Sequence, residues 1–232
     1  MFISIKRADT FESYEVHLEN PTLLEALTHI KTTLDSTLSF SSGCRSSVCG
    51  SCSMRVNERE VLACAYKVED GDKIEPLRNV PIIRDLVVNM DEAYSRNAQA
   101  KAWLEKSSSD VALSDEDEKI NALASDCILC GSCYSACPVY AVNDQFMGPF
   151  ALTRVWKYVS DKREGAQAEK VTHIQQSGVW DCTLCNECSV VCPQFISSKA
   201  DIEKLRMKSA EFGFMDPSFG SFGGGFDGSP TF

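Results

Sequence analysis

Twelve cysteines gathered into three tight groups constrain this chain more than any other feature. None occurs in residues 1–43, between Cys64 and Cys127, or after Cys192. Disulfide scaffolds are usually small, secreted and cysteine-dense throughout, whereas this 232-residue chain sets its thiols at ligand spacing. The first group is Cys44-x4-Cys49-x2-Cys52, with Cys64 following eleven intervening residues later. That is the plant-type [2Fe–2S] spacing, in which one loop supplies three sulfurs and a neighbouring strand the fourth. Gly43 and Gly50 let backbone N–H groups approach the sulfurs, and such bonds raise a cluster's potential. The x4-x2 run in one loop is unusual for zinc.

The second group is Cys127-x2-Cys130-x2-Cys133-x3-Cys137-Pro138, and the third is Cys182-x2-Cys185-x2-Cys188-x3-Cys192-Pro193. Each is the bacterial ferredoxin run, and together they form an internal repeat. In two-cluster proteins the fourth cysteine of each run ligates the other cluster. The expected sets are therefore Cys127, Cys130, Cys133 and Cys192 for one [4Fe–4S] cluster, and Cys137, Cys182, Cys185 and Cys188 for the distal cluster. The prolines turn the chain away after the last ligand.

The expected fold is α+β, a β-grasp, plant-type ferredoxin-like domain followed by an all-α, bacterial-ferredoxin-like domain. Residues 1–105 form the first. Ile3 and Ile5, then Tyr14, Val16 and Leu18, alternate at strand period around Ala8-Asp9-Thr10. Asn20 reads as the cap and Pro21 as the first residue of a helix with Leu23, Leu27, Ile30 and Leu34 on its apolar face. Met54-x-Val56, Asn57-Glu58-Arg59 and Val61-Leu62 read as strand, turn and return strand. Residues 91–104 look helical, and Ser107-Ser108-Ser109 marks a boundary. Residues 106–211 form the helical domain. Ser114 caps a helix opening on Asp115-Glu116-Asp117-Glu118, another helix runs from Pro149 to near Gly165, and a last one from Ser198 to Ala210. The Gly/Phe-rich stretch 212–232 has no period and is expected to be disordered.

Several function classes are excluded. The net charge of −10 argues against nucleic acid and gives no attraction to anionic lipid. No segment reads as membrane-spanning, because the apolar stretch Val80–Met90 is short and cut by Arg84 and Asp85. The first residues alternate rather than forming a secretory signal, so attachment to a membrane is expected through a partner. His17, His29 and His173 are isolated, and Trp103, Trp156 and Trp180 read as packing residues. Gly223–Gly225 follows no strand and is no nucleotide site. No catalytic residues are expected on this chain.

The order of one plant-type domain and two bacterial-type runs resembles the iron–sulfur subunit of the succinate dehydrogenase/fumarate reductase family, across about residues 1–210. The local text agrees at Ser42-Gly43-Cys44-Arg45, Val48-Cys49-Gly50-Ser51-Cys52, Leu62-Ala63-Cys64, Pro81–Val88, Cys127-Ile128-Leu129-Cys130-Gly131 and Gly148-Pro149. The resemblance implies an FAD-containing flavoprotein partner that interconverts succinate and fumarate. It also implies an electron path from FAD through [2Fe–2S] and a middle [4Fe–4S] cluster to a distal cluster, then a quinone or other carrier at a membrane-associated subunit. Two departures stand out. Most members lack a cysteine at the position of Cys185 and hold a [3Fe–4S] centre on the residues matching Cys137, Cys182 and Cys188. Members also carry a tryptophan pair and a histidine near the quinone where this chain has Ala141, Val142 and Thr183. These departures resemble the branch whose anchor is replaced by a cysteine-rich, heterodisulfide-reductase-like subunit.

The expected function is thus electron transfer within succinate dehydrogenase/fumarate reductase, peripheral to a membrane through partner subunits and on its cytoplasmic side. The alternatives are the iron–sulfur subunit of another flavin-linked oxidoreductase, such as a thiol-linked fumarate reductase, and a zinc-stabilised interaction protein. For the distal site the alternatives are a second [4Fe–4S] cluster, or a [3Fe–4S] cluster with Cys185 as a free thiol packed like a small apolar residue.

Overall fold

A computed structural model describes residues 1–105 and 110–220. The N-terminal half is built on strands β1 (Phe2–Arg7), β2 (Thr10–Glu15), β3 (Ser53–Val56), β4 (Arg59–Leu62) and β5 (Lys73–Glu75). They form one sheet in the order β2-β1-β5-β3-β4. β1 pairs antiparallel with β2, Ile3 opposite Tyr14, and parallel with β5, Ile5 opposite Ile74. Ile3, Ile5, Met54 and Ile74 point inward and are fully buried or nearly so. Asn57 and Glu58, both at positive φ, make the tight turn between β3 and β4. Helix α1 (Leu23–His29) runs on as a π-helical turn, Ile30–Leu34, and buries Leu23, Leu27 and Ile30 against the same core. A small hairpin, β6 (Ile82–Arg84) and β7 (Val87–Val88), lies outside the main sheet.

The helical half comprises α2 (Asp91–Gln99), α3 (Asp115–Ser125), α4 (Ser132–Ser135), α5 (Pro149–Val159), α6 (Gln167–His173), α7 (Glu187–Val190), α8 (Ser198–Glu211) and α9 (Pro217–Gly220). Pro at the first position opens α5, whose Phe150, Leu152 and Val155 meet Ile202 and Leu205 of α8 in one core. Ser114 and Asp117 close a capping box at α3, as the acidic first turn predicts.

Several boundaries differ from expectation. The cap of α1 is Thr22, not Asn20, and Pro21 lies before the helix. Thr22 and Glu25 exchange hydrogen bonds in a capping box, satisfying two backbone donors where Asn20 would satisfy one. The helix expected over 91–104 stops at Gln99, where Lys101 turns left-handed at φ 50°. α5 ends at Val159, because Asp161 turns the chain by accepting the Arg163 N–H and side chain. Ala93, Ala100 and Ala102 bury in the helical core. Of the stretch expected to be disordered from Phe212, Phe214 packs against the helical core and Pro217–Gly220 form a helical turn. Ser107–Ser109 and residues 221–232 lie outside the described residues.

Candidate electron-transfer site

The first cysteine loop hangs between α1 and β3. Cys52 ends it, buried just before β3, and Cys64 returns just after β4, so the β3–β4 hairpin carries one cysteine at each end. Ala63 N–H donates to Cys52 O at 3.0 Å, locking the two together. Within the loop, Ser46 and Val48 N–H groups both donate to Cys44 Sγ at 3.4 Å, and Cys44 N–H donates to Cys49 Sγ at 3.3 Å. The Ser46 and Val48 donors hold the exposed Cys44 thiol down to about 6, while burial pushes Cys52 up to about 11. A Cβ at Gly43 would lie 2.9 Å from Cys49 Sγ, so the missing side chain is what lets backbone reach sulfur.

The two later runs share one backbone course. Leu129 and Leu184 both sit at φ 55°, and Gly131 and Asn186 at φ 83° and 75° start the short helices α4 and α7. Those helices carry Cys133 and Cys188, both buried. Cys130 and Cys185 therefore occupy matching places in the repeat. Cys127, Cys130, Cys133 and Cys192 line one apolar pocket, although Cys192 belongs to the third run. Burial is the main cause that raises the Cys127 thiol, and the charges of Cys130 and Cys192 add to it. Cys133 is pushed well up by burial, then by Cys130, Cys127, Cys188 and Cys192. In the other set, burial raises Cys137, and Cys182 and Cys185 push the same way. Burial pushes Cys188 up to about 12, with Cys182, Cys137 and Cys185 adding. Cys192 thus shares a pocket with three thiols of the second run, and Cys137 feels Cys182 and Cys185 of the third, while Cys133 also feels Cys188.

Thiols raised by burial hold their protons until a metal replaces them, so loading releases protons. Tyr140 N–H donates to Cys137 Sγ and Leu184 N–H to Cys182 Sγ, each at 3.4 Å, leaving donors already aimed at sulfur. All-thiol sets with N–H groups directed at sulfur fit iron–sulfur clusters. Among the described residues no three His, Cys, Asp or Glu side chains converge on a point that one ion would occupy. A polynuclear cluster spreads its four sulfurs around a larger body.

Cationic residues stand beside both sets. Arg154 opposes the rise of the Cys127 thiol, and Arg206 that of Cys182. Arg206 also donates to the Cys182 and Val179 carbonyls and stacks over Trp180 at 5.2 Å. Neither arginine is distinguished by sequence spacing, because each reaches its cluster loop from a helix. Gln194, two residues past Cys192, donates to Ser47 O at 2.9 Å and ties the third run to the first loop. His17 and His173 are exposed, and His29 is half-buried in a surface pocket that Cys64 also lines. Val142, just past the second run, is 88% exposed.

Residues 4–95 match a 2Fe-2S iron-sulfur cluster binding domain, and residues 123–196 a 4Fe-4S dicluster domain. The chain is 38% identical over 218 residues to the fumarate reductase iron-sulfur subunit of Mycobacterium tuberculosis, covering 89% of this chain and 88% of that one. It is 35% identical over 211 residues to the 8-methylmenaquinol:fumarate reductase iron-sulfur subunit of Wolinella succinogenes, covering 84% of this chain and 66% of that one. A chain of the Mycobacterium smegmatis Sdh1 complex in the apo form superposes with a TM-score of 0.81 at 21% identity, covering 90% of this chain and 95% of that chain. That last likeness is one of fold.

Proposed function

The chain belongs to the family of iron–sulfur subunits of fumarate reductase and succinate dehydrogenase, and from that premise we propose that its twelve cysteines form three ligand sets in one electron relay. Its function is electron transfer in a succinate dehydrogenase/fumarate reductase complex, as one subunit beside flavoprotein and membrane subunits. The two matched domains bind [2Fe–2S] and [4Fe–4S] clusters, which supply one-electron chemistry.

The residues divide the work as follows. Cys44, Cys49, Cys52 and Cys64 hold the [2Fe–2S] cluster. Cys127, Cys130, Cys133 and Cys192 hold the middle [4Fe–4S] cluster, a reading supported by their shared pocket. Cys137, Cys182, Cys185 and Cys188 hold the distal cluster as a second [4Fe–4S] centre. The matched backbone of the two runs supports this, since it sets Cys185 where Cys130 stands in its own run. The sheet order β2-β1-β5-β3-β4 with α1 packed on it supports a plant-type ferredoxin, β-grasp reading of the first half. The chain attaches to a membrane through its partner subunits, on the cytoplasmic face; no helix among the described residues is long and apolar enough to cross a membrane by itself. Ala141, Val142 and Thr183, together with Cys185, favour a cysteine-rich, heterodisulfide-reductase-like partner over a quinone pocket of the ordinary kind.

The observation that carries the relay is the direct abutment of the first two cysteine loops, with Gly50 against Cys130. Cys64→Ala in the assembled complex tests it. Succinate should still reduce the flavin, while electron flow to the downstream acceptor falls to background. Undiminished flow in that variant, with cluster content measured alongside, would refute the first ligand set.

A further inference from the structure

The boundary between the two halves holds a buried pair of hydroxyls. Ser53 Oγ and Ser132 Oγ are 2.9 Å apart, and the two residues are 8% and 1% exposed. Ser53 directly follows Cys52 and opens β3, while Ser132 opens α4 between Cys130 and Cys133. Ser132 Oγ also lies 3.4 Å from Cys130 Sγ. One turn further along α4, Ser135 donates to Glu60 Oε1 at 2.7 Å and accepts the Arg78 N–H at 2.9 Å. Ser132 and Ser135 therefore face the β3–β4 hairpin together, and α4 has little freedom to slide.

The proton directions follow from chemistry. A ligating sulfur is a thiolate with no proton to give, so Ser132 must donate to Cys130. Ser132 has a single proton, so with that proton on Cys130 the 2.9 Å contact is made by Ser53 donating to Ser132; the Ser53 hydroxyl also lowers the Cys130 thiol, as a donor facing the same sulfur would. Each bond polarises the next in a dry interior. A donor on a ligand sulfur stabilises the electron-rich, reduced cluster more than the oxidised one. The third run provides an internal contrast, because Glu187 stands at the place of Ser132.

We propose that Ser53 and Ser132 form a directed hydroxyl relay onto the Cys130 sulfur, which raises the potential of the middle cluster and ties that cluster to the strand carrying a [2Fe–2S] ligand. Both serines are positioning residues that act through Cys130. The inference rests on Cys130 being a ligand of the middle cluster.

The test is a redox titration of the assembled complex, followed by electron paramagnetic resonance. Ser132→Ala should shift the electron equilibrium between the first two clusters about three- to tenfold toward [2Fe–2S], tenfold being about 59 mV for one electron. Ser53→Ala should shift it the same way but less. Ser132→Thr, which keeps the hydroxyl, should restore the wild-type value, and the [2Fe–2S] potential should stay put throughout. An unchanged middle-cluster potential in Ser132→Ala at full iron content would overturn the relay while leaving the ligand sets intact. Should Ser132→Ala lose the cluster, an unmoved potential in Ser53→Ala overturns it equally. An intact middle cluster in Cys130→Ala would remove the ligand reading and the relay with it.

Discussion

Gly50 and Cys130 stand back to back across the junction of the two halves: a Cβ on Gly50 would lie 2.7 Å from Cys130 Cβ and 2.8 Å from its Cα. Two cluster loops from different parts of the sequence thus touch through backbone. Gly50 also sits at φ +72°, where a side chain is strained whatever the space.

Gly50→Ala should therefore combine left-handed strain of roughly 1–2 kcal/mol with an overpacking cost of roughly 1–3 kcal/mol. The expected result is a lower melting temperature and slower transfer from the first to the second cluster, because the loops must part. Thermal unfolding and rapid-freeze kinetics on the complex check both.

Cys185 decides the character of the distal centre. If it ligates, the wild-type complex oxidised in air lacks the signal of a three-iron cluster, and Cys185→Ser acquires it. A full three-iron signal in the wild type, unaltered in Cys185→Ser, would show a free thiol at that place.

Lys170 is fully buried between Glu164 at 3.5 Å and Glu105 at 3.3 Å, and it also donates to Lys101 O at 2.9 Å. Lys170→Met would leave the buried Glu164 carboxylate without its counter-ion, at a cost of about 3–5 kcal/mol. Adding Glu164→Gln should recover part of that loss. Melting temperatures of the two variants measure it, and equal loss in both would show that packing rather than charge dominates.

Asp201 on α8 is largely buried, and burial pushes its carboxyl up to about 6 despite Lys204 at 3.6 Å. A folded value above the unfolded 3.8 means stability that is present below pH 4 and lost as pH rises through 6. Asp201→Asn removes that loss. The variant should be more stable than wild type at pH 7, by on the order of 2–3 kcal/mol, and equal to it near pH 4. A pH series of melting curves would show the two lines converge; parallel lines would refute the assignment.

Much of the local architecture was legible from residues a few positions apart. The three cysteine groups, the Ser114 cap, the Asn57-Glu58 turn, the proline start of α5 and the span of α8 all depend on short-range geometry, so spacing and residue type suffice. The cap of α1 was legible too, in Thr22 and Glu25 three residues apart, but Asn20-Pro21 was the more conspicuous signal and the wrong one. The short β5 and the β6–β7 hairpin left no period long enough to recognise.

What the sequence alone determined is the chemistry on offer: twelve thiols, and their division into a plant-type loop and two bacterial-type runs. Tertiary structure decided the neighbours. Arg154 and Arg206 reach the thiols from helices, and Ala93–Ala102 pack with the helical half although they follow the sheet in sequence. The Ser53–Ser132 pair, separated by 79 positions, exists because the start of β3 meets the start of α4. No local period encodes such a pair, since ordinary serines acquire a role only when packing removes water and aims one hydroxyl at another.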